Sequence, residues 1–157
     1  MKSANYRVQE HLDNLGLELE IRILPEAVRT AQLAADALGC AVGQIANSLI
    51  FRDRERGRAV LIMCAGDRRV DLDKVRRLAA IDLGKANADF VRAQTGFAIG
   101  GVPPVGHASE LSTLLDASLR RFDEIWAAAG TPESVFCMTP EQLRQMTDGQ
   151  WLELTEE

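Results

Sequence analysis

Apolar positions along the chain follow two periods. Residues 3–15 place Val8, Leu12 and Leu15 at helical spacing, with Ser3 as a candidate cap and Gly16 as a stop. LELEIRIL (17–24) alternates apolar and charged residues, the signature of a half-buried strand, and Pro25 ends it. Thr30 can cap a second helix, AQLAADALG, that stops at Gly39. A helical turn around Val42–Ala46 precedes the strand NSLIF (47–51). The charged turn RDRERGR (52–58) then leads into the fully apolar strand AVLIMCAG (59–66), so the two runs form a hairpin. Asp71 opens a helix whose face carries Leu72, Val75, Leu78 and Ala79, and Ala88–Gln94 reads as another short helix. Beyond Leu119 come a strand-like run in RFDEIWAAAG and a short strand, SVFCM (134–138). A helix starts at Thr139-Pro140 and ends at Gly149, and WLEL (151–154) is a last strand.

The order α-β-α-β-β-α-α-loop-β-β-α-β mixes hairpins with helices. It predicts a mixed α/β (α+β) fold, with a largely antiparallel curved sheet flanked by helices, not a doubly wound parallel sheet. No repeat, low-complexity tract or linker divides the chain, so one domain over residues 1–157 is expected.

Composition removes several functional classes. At 157 residues the chain can bury roughly 68–70% of its unfolded surface without a disulfide or metal staple. No apolar run approaches the ~18–20 residues that span a bilayer, and the N-terminus lacks a signal-peptide core. No membrane association is expected, and a cytoplasmic location is the default. Cys40, Cys64 and Cys137 are odd in number and widely spaced, which is no disulfide framework. Cys64 and Cys137 lie in apolar runs and read as buried, inert thiols. With only His11 and His107 available, a zinc site is hard to assemble, and no cofactor or metal is expected.

Net charge is −5, against the positive excess of a sequence-independent nucleic-acid binder. Yet 15 of the 18 basic residues are arginine, and they cluster. Arg52, Arg54, Arg56 and Arg58 alternate along the hairpin turn, and Arg68 and Arg69 precede a helix with Lys74, Arg76 and Arg77. On charge alone these are a solvated hairpin tip and a solvated helix face.

TGFAIGGVPPVGH (95–107) differs in kind from the rest, with four glycines and two prolines in 13 residues. Adjacent glycines let a backbone approach a ligand closely, and the prolines stiffen the second half of the segment. Such a loop is either a tight structural connection or a cradle of amide N–H groups for a carbonyl oxygen or phosphate. No GxSxG, GxxxxGK[ST], HExxH or GxGxxG motif is present.

This loop resembles the glycine/proline loop of the YbaK/prolyl-tRNA synthetase-associated editing domains. RTAQLAADALGC (29–40), QIANSLIF (44–51), AVLIMCAGDRRVDLDKV (59–75) and LGKANADFVRAQTGF (83–97) resemble further segments in the family's order, over about residues 25–147. The loop is the most specific of them. The resemblance implies a trans-acting aminoacyl-tRNA deacylase, which hydrolyses the ester joining a wrong amino acid to the 3' end of tRNA. Its partners would be the 3' end of an aminoacyl-tRNA and, for recruitment, an aminoacyl-tRNA synthetase or an elongation factor. The family motif, a glycine followed by three residues and a proline, falls on Gly100, Gly101, Val102, Pro103 and Pro104. Its amides would hold the ester carbonyl and the developing oxyanion, and water would attack without a protein nucleophile.

By the same resemblance Thr30, Ala31, Ser48, Gly66 and Ile99 would form small pocket walls. Asn47 stands where many members carry a lysine important for activity. Asparagine donates a hydrogen bond but brings no charge. A weakened or non-catalytic module that binds tRNA, a synthetase or a small nucleotide-like ligand is therefore the alternative, and hydrolysis of another small activated ester is a third reading. Lys85 could supply a charge near the site or be an ordinary solvated residue. His107 could hold a water or a ribose hydroxyl, or simply pack the loop.

Overall fold

The computed structural model describes all residues, 1–157. Helices are α1 (Ser3–Asn14), α2 (Ala31–Leu38), α3 (Leu72–Ala79), α4 (Ala88–Thr95) and α5 (Pro140–Thr147). Strands are β1 (Ile21–Ile23), β2 (Ala46–Asp53), β3 (Ala59–Ala65), β4 (Leu83–Gly84), β5 (Ser112–Asp116), β6 (Ile125–Ala128), β7 (Ser134–Met138) and β8 (Gln150–Leu152). Short 3-10 turns occupy Val42–Gln44 and Ala117–Arg121. No helix is long and apolar enough to cross a membrane.

The expected mixed α/β fold is present, with two sheets. One is antiparallel, in the order β1-β7-β6; the other is mixed, in the order β4-β2-β3-β5-β8. The predicted hairpin is β2–β3, in register from Ala46↔Ala65 to Arg52↔Ala59. β2 also pairs antiparallel with β4, and the β3–β5 and β5–β8 pairs are parallel. An isolated parallel bridge joins Ile45 to Trp126, and the two sheets share a core in which Leu61, Met63 and Leu115 meet Ile125, Phe136 and Met138. Every residue of β3 is buried, so its two faces feed separate cores. Leu61, Met63 and Ala65 pack with α1 and the 95–107 loop, whereas Val60, Ile62 and Cys64 pack with Val75 of α3.

Several sequence expectations change. The strand over 17–24 shortens to β1, because the Gln9 side chain takes the place of a ladder partner: it donates to the Leu19 carbonyl at 2.8 Å and accepts from Ile21 N at 3.3 Å. Ser3 is the first helical residue and not a cap; Asn5 Oδ1 instead reaches back to Lys2 N at 3.0 Å. On α3 only Val75 is fully buried, and Leu72 and Leu78 face solvent. The run after Leu119 becomes strand only at Ile125, because Asp116 holds a 3-10 turn by accepting from Ser118 N at 2.9 Å. α5 stops at Thr147, before Gly149, and the last strand is β8 in place of 151–154. Cys137 is half-buried; Cys64 is buried as expected.

Candidate active site

A pocket of about 250 Å³ opens in the seam between the two sheets, beside the Ile45–Trp126 bridge. The edge of β2, from Ala46 to Leu49, forms one wall, and Trp126, Ala127 and Ala128 of β6 form the facing one. The start of α2 closes an end with Thr30, Ala31 and Ala34. Thr30 fixes that end by capping the helix, its hydroxyl accepting from Leu33 N at 3.1 Å. The 95–107 loop supplies Ile99, Gly100 and Val102 as the roof.

The loop is held from both sides. The Thr95 hydroxyl contacts the Val91 and Phe97 carbonyls and accepts from Phe97 N at 3.1 Å. Gly101 N donates to Ala98 O at 3.0 Å, closing a turn whose third residue, Gly100, has φ +91°. The Gly101 carbonyl accepts from Gly130 N at 2.9 Å, which seats this turn on the β6–β7 connection. His107 donates from Nε2 to the Pro103 carbonyl at 2.6 Å, since a carbonyl oxygen can only accept. Burial holds the His107 imidazole below its ordinary pKa, so it is neutral at neutral pH.

This geometry sorts the three amides of the motif. Gly101 has spent its N–H on Ala98, while the N–H groups of Gly100 and Val102 have no acceptor within the chain, and both residues line the pocket. Val102 is 2% exposed. A backbone donor on a buried residue is costly to leave unpaired, so it marks where an acceptor belongs.

Of the residues named from the sequence, Thr30, Ala31, Asn47, Ser48, Ile99, Gly100 and Val102 meet in this pocket. Strand alternation sends Asn47 and Ser48 to opposite faces of β2, opposite Cys64 and Met63 respectively. Both reach the pocket because it opens on the strand's edge. Ser48 Oγ points to Met63 Sδ at 3.4 Å, and the Asn47 amide makes no hydrogen bond within the chain.

The others lie elsewhere. Gly101 is behind the roof, where a Cβ would come within 2.8 Å of Thr131 Cα. Gly66 lies behind Ala31, with room for a Cβ only 2.5 Å from the Val42 carbonyl. Pro103 and Pro104 are buried beneath the loop. His107 faces a separate hollow shared with His11. Lys85 is exposed on a neighbouring groove that shares Ser48, Leu49, Ile99 and Val102 with the pocket.

Sequence reading missed Arg29, Trp126 and Ser134, all of which line the pocket. Arg29 is exposed at the rim and belongs to none of the ion pairs. Its only sequence signal was its place just before the cap Thr30. No hydroxyl in the lining has a histidine or carboxylate beside it to act as its base. Ser134 Oγ is fully engaged, accepting from Asn5 Nδ2 at 2.8 Å and from Thr131 N at 3.1 Å, with the Thr131 carbonyl at 3.0 Å. Burial pushes the Cys64 thiol up to about 12, with the Asp116 charge adding to it. Cys137 reaches about 12 by burial and by its hydrogen bond to Glu124. The arrangement combines free backbone donors, a free side-chain amide and a rim cation with a small, mostly apolar enclosure.

A model of the family described as "Aminoacyl-tRNA editing domain" matches residues 25–146. The "Uncharacterized protein YwhH" of Bacillus subtilis (strain 168) is 32% identical over 140 residues, spanning 89% of this chain and 88% of that protein. The "Putative Cys-tRNA(Pro)/Cys-tRNA(Cys) deacylase EbsC" of Enterococcus faecalis (strain ATCC 700802 / V583) is 25% identical over 127 residues, spanning 80% and 77% respectively. Among solved structures, "Crystal structure of a putative trans-editing enzyme for prolyl tRNA synthetase" superposes with a TM-score of 0.93 at 44% identity, covering 100% of this chain and 99% of that one.

Proposed function

The chain belongs to the aminoacyl-tRNA editing domain family, and on that premise we propose that it acts in trans as a deacylase, hydrolysing the ester of a mischarged tRNA. One observation carries the reading: two backbone donors without acceptors, Gly100 N–H and Val102 N–H, belong to residues lining a pocket in which no hydroxyl has a histidine or carboxylate base beside it. A site of this kind stabilises an oxyanion and leaves the attack to water.

In the proposed reaction the ester carbonyl oxygen takes the position facing the Gly100 and Val102 amides. Water adds to the carbonyl carbon, and the negative charge that forms on the oxygen is met by these donors. The ester C–O bond then breaks, the ribose oxygen leaves with a proton, and a free amino acid and uncharged tRNA result. An adjacent substrate hydroxyl can relay the proton. Thr30, Ala31 and Ala128 limit the size of the aminoacyl side chain, a discrimination of about 1–3 kcal/mol per methylene. Asn47 donates a hydrogen bond to the substrate, and Arg29 places a positive charge at the rim for its terminal phosphate.

The names borne by the Enterococcus relative and by the trans-editing structure support this direction. Asn47 favours a second reading, a module that binds the same end of tRNA without hydrolysing it.

The test is a panel of tRNAs mischarged with alanine, cysteine, serine or threonine, incubated with the wild type and with Asn47→Lys. Release of amino acid from at least one by the wild type is the expected result. No release by either protein rejects the hydrolytic reading. Release only by Asn47→Lys assigns the natural chain to the binding reading.

A further inference from the structure

The arginine-rich turn between β2 and β3 has no part in the pocket, yet it stands at the far end of a groove that begins there. The groove, about 360 Å³, runs along the edge of β2 from Ser48 to Phe51 and is mostly apolar. Four of its residues, Ser48, Leu49, Ile99 and Val102, also line the pocket, so the two are continuous. Lys85 stands on its rim.

Three cations gather where the groove meets the hairpin, and the fold pre-sets two of them. Register pairs Arg52 with Gly84, the residue before Lys85. The Arg52 guanidinium lies 5.1 Å from the centre of the Phe90 ring, a cation–π contact that fixes its direction. Arg54 lies over Gly84, where a Cβ would come within 2.7 Å of its Nε, so the absent side chain is what seats it. On the same turn, Arg56 is matched by an acid, Asp53, at 3.1 Å. Arg52, Arg54 and Lys85 are in no ion pair, although Glu55, Asp82 and Asp89 are near in sequence. In a chain of net charge −5, an unneutralised group of three cations beside an apolar trough calls for a ligand with flat apolar faces and a row of negative charges.

We propose that this groove holds the single-stranded 3'-terminal nucleotides of tRNA that precede the acylated one, with bases against the β2 edge and phosphates on Lys85, Arg52 and Arg54. This rests on the deacylase reading for the identity of the RNA, and it deepens that reading by giving the strand a direction. The acylated ribose sits in the pocket, and the chain leaves past Ile99 toward the hairpin tip. From Ser48 to Arg52 the strand rises ~13 Å, enough for more than one nucleotide. Stacking on aromatic side chains with phosphates on a basic margin is the general mode for single strands, and Phe51 is the aromatic residue of this groove.

The test is fluorescence anisotropy with an uncharged, labelled RNA hairpin that ends in the four unpaired 3' nucleotides of tRNA. The same hairpin made blunt is the control, and Arg52→Glu, Arg54→Glu and Lys85→Glu are the variants. Unchanged thermal unfolding midpoints establish that the variants are folded. The wild type is expected to prefer the overhang, each reversal to weaken binding at least ~10-fold, and the salt dependence to shallow by ~0.7 in log–log slope per cation lost. Equal affinity for the blunt hairpin, variants that bind like wild type, or inorganic polyphosphate that competes as well as RNA would each overturn the proposal. Its fate is separable from that of the deacylase. A wild type that hydrolyses no mischarged tRNA, yet grips the overhang and loses it in the variants, loses the activity and keeps the groove. Normal hydrolysis with variants that bind like wild type does the reverse.

Discussion

The side-chain amide of Asn5 donates to Ser134 Oγ at 2.8 Å, joining the first helix to a wall of the pocket. The same nitrogen donates to the Ala129 carbonyl at 2.9 Å, and Asn5 is 1% exposed. Removing it strands the buried Ala129 carbonyl and takes one of several hydrogen bonds from Ser134 Oγ. Asn5→Ala is expected to cost about 1–3 kcal/mol, read from the urea midpoint at constant slope. Asn5→Asp is expected to be at least as damaging, because a carboxylate cannot donate to the Ala129 carbonyl. A change below ~0.5 kcal/mol, the size of ordinary surface substitutions, would show that the latch adds no stability.

The two glycines of the roof should respond differently to alanine. Gly100 has open space around its missing Cβ and only its positive φ to lose, so Gly100→Ala costs about 1 kcal/mol in strain. Gly101 has an ordinary φ but faces backbone, with Thr131 Cα 2.8 Å from the added carbon. Gly101→Ala must push the loop off the β6–β7 connection and shift both free amides. Where deacylation is measured, we expect a drop of about 100-fold, the scale of a 1 Å misplacement or a lost oxyanion donor. A Gly101→Ala enzyme of normal rate would mean that the turn does not set the donors.

His107 ties stability to pH. Its native pKa lies below the unfolded value because burial disfavours the charged ring, so the unfolded chain takes up the proton first. The stabilisation is present above the unfolded pKa, about 6.5, and is lost as pH falls from there through the depressed native value. His107→Gln should remove this part of the acid sensitivity when unfolding midpoints at pH 7.5 and pH 5 are compared. An undiminished slope in the variant would place the titration on another group.

The thiols should be slow to react. Cys64 and Cys137 both sit near pKa 12, raised first by burial, and so carry almost no thiolate at neutral pH. Alkylation by iodoacetamide at pH 8, followed by mass spectrometry, should label Cys64 only as fast as the protein unfolds. Rapid labelling of Cys64 in the native protein would contradict the burial of β3.

Much of the fold was legible because local chemistry and global packing agree. Thr30, Asp71 and Thr139 each cap the helix that they announce, and Gly39 closes α2 in the left-handed conformation. The hairpin arises from two apolar runs around a charged turn. What escaped was set by long-range pairing. β5 has only Leu114 and Leu115 as apolar residues, and it is a strand because parallel neighbours on both sides complete its ladder. β2 runs on through Arg52 and Asp53 because β4 pairs there, and nothing in LG announces a strand. Leu72 and Leu78 fit a helical face that no second element covers. At the site, glycine spacing located the loop but not the assignment of its amides, which depends on Ala98 and Gly130. Arg29 and Trp126 come from separate elements, which meet at the pocket only after the sheets have met.

The pocket's place at the margin of the shared core has an evolutionary consequence. Leu61, Met63 and Leu115 of one sheet pack with Ile125, Phe136 and Met138 of the other, and the pocket opens beside them, so several of its walls are half-buried residues such as Ala31, Leu49 and Ala128. Exchanging these for larger or smaller side chains alters what fits without hollowing out that core. On the proposed deacylase reading, the scaffold can thus pass from one amino acid to another among its descendants while its stability stays nearly constant, leaving substrate choice free to drift faster than architecture.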